Sequence, residues 1–466
     1  MIGLAITVSL HTFHRLEVLT EMEDKAMDWV MTLWEGTVSK EPIIPFGWID
    51  IDEKTYLKWK EPLYVPRRKL ANLIHFALQS HPKMVVIDID LAQRNHDRKV
   101  DMPVVNVLKT YADICENKPL ATDNCPPVIL LASLRTFESD LPLQRSSYLD
   151  ELVDNSNQLY WASPLFERDK DQVIRRWRIW ESVRRETDNR IMALPSLQLL
   201  AATLLTSYEG AAQRLQSCLD AKVLKGYTTK LGKGTIEESG DSCVNLWERL
   251  NALLDKNLQR TNEALTLSGG RVARRIVYTI PWQGSKGGVP GKRVPTVKTI
   301  EDEERLLISR ISAHNFDNLV DVNDKADFQD RVVFIGGSFR DSRDIYLSPL
   351  GEMPGALILI NSLHSLLQHG EIEEVSLVHK LLINILLITL LSIVFSIWNL
   401  FWGQVIAGVS VIIVLVPLSV FAFGFGYWLD FALPLFAVQI YKMAVEWGQA
   451  VHRVVTGMET QAGNDG

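Results

Sequence analysis

The sequence predicts an α/β domain: a mainly parallel sheet flanked by helices, with an inserted mixed α+β region and a C-terminal three-helix transmembrane block. Three observations carry this. Short β-branched runs alternate with helical stretches over residues 43–133. A further buried-strand pattern, Arg331–Gly337, ends in a glycine turn ahead of a helix. Leu381–Trp398 and Val405–Leu429 contain no charged residue. A helix of about 20 apolar residues matches a bilayer core of roughly 30 Å. Phe431–Trp447 is a weaker third span, interrupted by Lys442 and Glu446. The competing reading, a buried helical core in a soluble protein, requires two such runs back to back.

The chain has 466 residues and a formal net charge of −7. That balance, with no long basic run, argues against a nucleic-acid partner. The cysteines Cys115, Cys125, Cys218 and Cys243 all precede the apolar block. Their spacing does not fit a zinc site. Short loops favour the pairs Cys115–Cys125 and Cys218–Cys243, which belong in an oxidising compartment. Four separate thiols in a cytosolic domain are the alternative.

Residues 1–13 are apolar but too short to span a bilayer. They read either as the tail of a longer transmembrane helix or as a short helix packed on the others. They lack a clear signal-peptide pattern. Leu16, Leu19, Met22, Ala26, Trp29 and Leu33 recur at helical spacing, so residues 1–34 are taken as an N-terminal helical segment. After Pro42 and Pro45, IIPFGWIDID (43–52) is a strand. Pro66, Arg67 and Arg68 open a helix to Ser80, and KMVVID (83–88) is a strand buried on both faces. A helix over 101–117 and a strand at VILLAS (128–133) follow.

Strands alternating with helices imply parallel crossovers, and ligands of such sheets bind outside the carboxyl ends of the strands. Asp50, Asp52, Asp88 and Asp90 fall at those ends. They read either as the lining of a polar crevice or as carboxylates that cap helices and pair with Arg67 or Arg68. No set of convergent ligands or nucleophile and base completes a reaction centre. The chain is therefore expected not to be an enzyme and to carry no metal or cofactor.

The insertion, about 135–290, is less informative. RRWRIWESVRR (175–185) reads as a solvated strand with Trp177, Ile179 and Glu181 on one face. Pro195 opens an apolar helix. GSKGGVPG (284–291) lacks the Lys-Ser/Thr of a phosphate-binding loop. After Gly337 come Ser338, Asp341, Asp344, Ser348-Pro349, Gly351 and Met353-Pro354-Gly355. The helix from Ala356 to His369 places Asn361, Ser365 and Gln368 on one face.

GWIDID (47–52), Pro66-Arg67, VVIDIDL (85–91) and above all FIGGSFRDSRDIYLSPLGEMPGALILINSLHSLL (334–367), followed by three apolar spans, resemble the CHASE2 family of bacterial extracytoplasmic sensor domains. The resemblance implies a sensor domain over 35–377, three transmembrane helices over 378–447 and a polar tail over 448–466. It also implies a preceding anchor, which favours the longer-helix reading of residues 1–13. The family usually carries a Glu and a His near the start of the last helix; Leu357 and Leu359 stand there instead.

The function expected is a multi-pass sensor or scaffold subunit of the bacterial cytoplasmic membrane, its large domain outside and its C-terminus inside. The family's usual cytoplasmic output domain does not follow the third helix, so the expected partners are membrane lipid, further copies of the chain and a separately encoded cytoplasmic effector. The alternative is a membrane-disrupting or pore-forming effector of a defence system under a partner's control. The candidate ligand or structural polar site comprises Asp50, Asp52, Arg67, Asp88, Asp90, Ser338, Asp341, Asp344 and Asn361.

Overall fold

A computed structural model of the chain describes residues 17–34, 44–92, 97–117, 125–136, 141–206, 210–224, 274–282, 296–298, 304–317, 328–370, 373–374, 389, 393, 397, 400–423 and 427–428. The chain divides into two units, Met1–Leu33 with Ile372–Gly466, and Trp34–Glu371.

In the first unit, helix α1 (Glu17–Trp34) buries Met27, Val30 and Met31 together with Asp24, while Trp29 and Leu33 are about half exposed. The helix therefore presents a different face from the stripe that ends in Trp29 and Leu33. The three- and four-residue spacing of Asp24, Met27, Val30 and Met31 makes an equally continuous face. The buried Trp428 indole donates to Glu23 Oε1 at 3.0 Å. Among the described residues no helix is long and apolar enough to count as a membrane span. The last described helix, Leu400–Phe423, nonetheless runs 24 residues without a charged side chain. Nearly all of the expected first span, the whole of the third and the tail over 448–466 lie outside the described residues.

The second unit is built on six parallel strands: β1 (Phe46–Ile51), β2 (Met84–Asp88), β3 (Val128–Leu131), β4 (Leu159–Ala162), β5 (Ile308–Ser312) and β6 (Val332–Gly337). Their order is β5-β1-β6-β2-β3-β4. The last strand in sequence thus enters the middle of the sheet, between the first two. Each of β1, β3 and β6 is buried along its whole length, which is why they read as unbroken apolar runs rather than alternating ones.

Alternate residues serve the two faces. Ile49, Ile51, Val85, Ile87, Val333 and Ile335 pack with α3 (Arg67–Gln79) and α4 (Arg98–Glu116). The short α2 (Glu53–Lys58) lies between β1 and α3 in sequence. The opposite face carries Phe46 and Phe334, whose rings lie 6.3 Å apart. It is covered by α6 (Gly355–His369), which packs against α5 (Leu197–Thr206). Gly336 is a packing requirement: a Cβ there would come within 2.9 Å of Ala356 Cβ and 3.2 Å of Asp88 Oδ2.

The insertion forms a second sheet of Ile191–Pro195, Trp180–Arg185, Leu143–Gln144 and Leu134–Arg135. Segment 175–185 is not a solvated strand. It breaks into Ile174–Trp177 and Trp180–Arg185, both largely buried. Arg175 pairs with Asp169 and Asp171 at 2.9 and 2.7 Å, Arg176 with Asp169 at 2.8 Å, and Arg178 with Glu181. Nearby carboxylates let guanidinium groups be buried that an unpaired charge would keep in water. Pro195 ends a strand rather than opening a helix, and Ser196 Oγ accepts the Leu199 amide at 3.2 Å. Residues 284–291 lie outside the described residues.

Cys115 and Cys125 form a disulfide between the end of α4 and the approach to β3. Cys218 is also disulfide-bonded, and its expected partner, Cys243, lies outside the described residues.

Candidate functional site

Parallel register places Asp50 of β1, Gly336 of β6 and Asp88 of β2 side by side at the carboxyl ends of their strands. Beyond that edge lies a cavity of about 900 Å³. Asp88, Asp90, Asp341 and Asp344 line it together with Arg67 and Arg343. Its apolar wall comes from α2, from the chain between α2 and α3 and from the loop after β6: Tyr56, Trp59, Leu63, Tyr64 and Phe339. Tyr56 and Phe339 are stacked with ring centroids 4.5 Å apart. Leu63 is 85% exposed at the rim.

Asp88 and Asp344 are the unusual members. Asp88 Oδ2 is closed off from solvent and has no hydrogen-bond partner. Burial holds the Asp88 carboxyl well above the usual carboxylate range, and the neighbouring Asp344 raises it further. Asp344 is itself raised to about 6 by burial, against the opposing pull of hydrogen bonds from Tyr346 and the Gly355 amide. Two carboxylates in one desolvated place resist joint ionisation. Gly355 is needed here because any Cβ would collide with both Asp344 carboxylate oxygens. This sets Asp344 against the first turn of α6, where the helix dipole favours negative charge.

Two of the other charged groups are committed. Arg67, buried, bonds Asp101 at 3.2 Å and lies over the Tyr148 ring at 5.4 Å. Asp90 accepts from the Ala92 amide at 2.9 Å and Ser133 Oγ at 2.6 Å, with Arg145 at 3.6 Å. Asp341 lies in the exposed turn Arg340–Ser342.

Four expected site residues, Asp50, Ser338, Asp52 and Asn361, have other work. Asp50 is fully buried and belongs to an ion pair: Arg310 reaches its Oδ2 at 2.6 Å and Ser338 Oγ donates to the same oxygen at 2.8 Å. Arg310 also stacks over Trp48 and Trp282, at 5.3 and 4.6 Å from the ring centroids. Burial raises Asp50 to about 6, with Arg310 and Ser338 pulling the other way. Asp52 caps α2, accepting the Thr55 amide at 2.9 Å and Thr55 Oγ1 at 2.7 Å. Its carboxyl is lowered: burial, the largest effect, raises it, but the Thr55 and Ser312 hydrogen bonds together outweigh that. Asn361 is buried in α6 and clamps the extended segment 276–280. It accepts the Thr279 and Ile280 amides at 3.1 and 3.0 Å and donates to the Ile280 carbonyl at 2.9 Å. Ser365 Oγ accepts the Val277 amide on the same face.

The fold therefore gathers Asp88, Asp90, Asp341, Asp344 and Arg67 into one cavity, and sends Asp50 with Ser338, Asp52 and Asn361 to structural roles. The aromatic wall was not singled out from the sequence. Its signal is the stretch YLKWKEPLY (56–64), too rich in aromatic residues for a solvated connection. Leu357 and Leu359 are buried in the packed face of α6 and present no polar group to a ligand. Among the described residues no group of three metal-binding side chains converges.

Residues 2–397 match the family model of the CHASE2 domain. No curated protein and no solved structure matches the chain.

Proposed function

The chain belongs to the CHASE2 domain family, and on that premise we propose that it is a membrane-bound sensor whose strand-end cavity receives the signal. The family is one of extracytoplasmic sensor domains. The single observation that carries the reading is the cavity itself. It sits where open parallel sheets bind ligands, it has the size of a small-molecule site, and it contains a partly buried carboxylate pair with raised pKa values, a kind of group that clusters at functional sites.

The role is non-catalytic. The uncharged runs Leu381–Trp398 and Val405–Leu429 anchor the protein in the bacterial cytoplasmic membrane, with the disulfide-bearing domain outside, and associate with those of further copies. Gly403, Ala407, Gly408 and Ser410 allow close approach of neighbouring helices. The output passes in trans to a cytoplasmic effector. A signal shifts such a system only by binding two conformations with different affinity. Asp344 is placed to report occupancy, because it touches both the cavity and the first turn of α6.

The test is cross-linking in native membranes. Ile413, two-thirds exposed on the helix Leu400–Phe423, is replaced by cysteine, and the rate of oxidative cross-linking is compared with and without Asp344→Asn. The relay predicts a change of about threefold or more, corresponding to roughly 0.7 kcal/mol or more of coupling. Equal rates in two folded proteins would oppose it.

A further inference from the structure

We propose that the strand-end cavity is a receptor site for a small organic cation, whose ammonium or guanidinium group seats between Asp88 and Asp344. The proposal rests on the sensor reading and adds the chemical class of the signal.

Charge points this way first. The cavity is lined by four carboxylates and two guanidinium groups; Arg67 is already bonded to Asp101 and Asp90 is held by Ser133 and Arg145, which leaves Asp88, Asp341 and Asp344 against Arg343. The balance is therefore acidic. An unpaired carboxylate oxygen closed off from water is costly, and Asp88 Oδ2 is one. The Asp88–Asp344 pair relieves that cost in one of two ways: it holds a proton, or it holds a cation.

The shape of the site selects the kind of cation. A bare divalent ion requires several convergent oxygen ligands, and among the described residues no such group of three forms. The volume, about 900 Å³, far exceeds the needs of an ion. Tyr56, Trp59 and Tyr64 line it with aromatic rings, and such rings attract organic cations and accept a carbon skeleton.

The binding step exchanges charges. Asp344 is raised to about 6 and burial holds Asp88 well above the usual carboxylate range, so the incoming cation displaces protons held by the pair to solvent. Affinity therefore rises as pH rises through about 6.

The experiment uses the full chain in detergent micelles. Agmatine, putrescine and tetramethylammonium are titrated calorimetrically, with glutamate and inorganic phosphate as anionic comparators. The expected result is binding of at least one cation probe and neither anion. Affinity should be about tenfold weaker near pH 5 than near pH 7.5, with proton release on binding seen on changing the buffer; proton uptake would contradict the exchange. Asp344→Asn abolishes binding, and Asp341→Asn, on an exposed turn, weakens it several-fold. Should Asp344→Asn fail to fold by circular dichroism, Asp341→Asn decides alone. The proposal is overturned if no cation probe binds up to about 10 mM, if phosphate or glutamate binds instead, or if the folded variants bind as the unaltered chain does. Cation binding without any change in Ile413→Cys cross-linking would sink the relay and leave the ligand class standing. Cross-linking that responds to Asp344→Asn without cation binding would overturn the ligand class alone.

Discussion

His364 lies in the middle of α6, fully buried, with neither ring nitrogen hydrogen-bonded and its ring edge-on to Phe46 at 6.0 Å. Burial, together with His369 nearby, pushes it down to about 3. The folded chain keeps the ring neutral, while the unfolded chain protonates it below about 6.5. Its contribution to stability is therefore present above that value and is lost as pH falls from it toward 3. His364→Leu is expected to gain on the unaltered chain by about 2–3 kcal/mol on going from pH 8 to pH 4.5, read as the difference between urea unfolding curves. A gap that does not widen on acidification would refute the assignment. Asp50 works in the opposite sense. Because burial raises it to about 6, the folded state holds its proton more tightly, and stability from this group falls as pH rises from about 4 to 6. At this scale the sequence showed which residue types mattered more clearly than where their side chains point. The pairs Asp50/Asp52 and Asp88/Asp90 look alike in sequence, yet in each pair the second residue lies past the strand's end and accepts a nearby backbone amide, Thr55 for Asp52 and Ala92 for Asp90. Asn361 was grouped with the site because nothing local reveals that it clamps a segment about 80 residues earlier.

Among the elements, β6 and α6 decide the geometry. Strand β6 enters between β1 and β2 and brings Gly336 beside Asp88, while α6 starts directly over it. Gly336→Ala is expected to destabilise by about 1–3 kcal/mol through overpacking against Ala356 and Asp88, measured by thermal unfolding. Gly355→Ala should cost a similar amount and, in addition, dislodge Asp344, so that cation binding is lost even in the folded fraction. A Gly355→Ala protein that binds normally would separate Asp344 from the site. The disulfide Cys115–Cys125 closes a short connection between α4 and β3. Cys125→Ser should cost about 2–3 kcal/mol on the chain-entropy estimate, again by unfolding; an unchanged midpoint would show that the bridge does not constrain the unfolded chain. The strands β1, β2, β3 and β6 were legible because strands buried on both faces are continuous apolar runs. The edge strands β4 and β5, LYWA and ISRIS, mix polar and apolar residues and were missed. The arginine-rich segment 175–185 was misread because its neutralising partners, Asp169 and Asp171, belong to the preceding turn.

The whole molecule is a CHASE2-family domain followed by two long uncharged runs, Leu381–Trp398 and Val405–Leu429. The parallel sheet and its helices on both faces followed from the alternation of strand and helix patterns, whereas strand order depends on long-range pairing that no local pattern encodes. The proposed sensor requires its domain to lie outside the membrane while its message leaves on the inside. All four cysteines belong to the domain side of the first uncharged span, so their redox state and accessibility report its compartment directly. The deciding measurement is thiol labelling with a membrane-impermeant maleimide, on spheroplasts and on inside-out vesicles, before and after mild reduction. An extracytoplasmic sensor predicts no labelling before reduction, and labelling of Cys115 and Cys125 from the outer face afterwards. Thiols found reduced from the start and labelled only when the cytoplasmic face is open would contradict it.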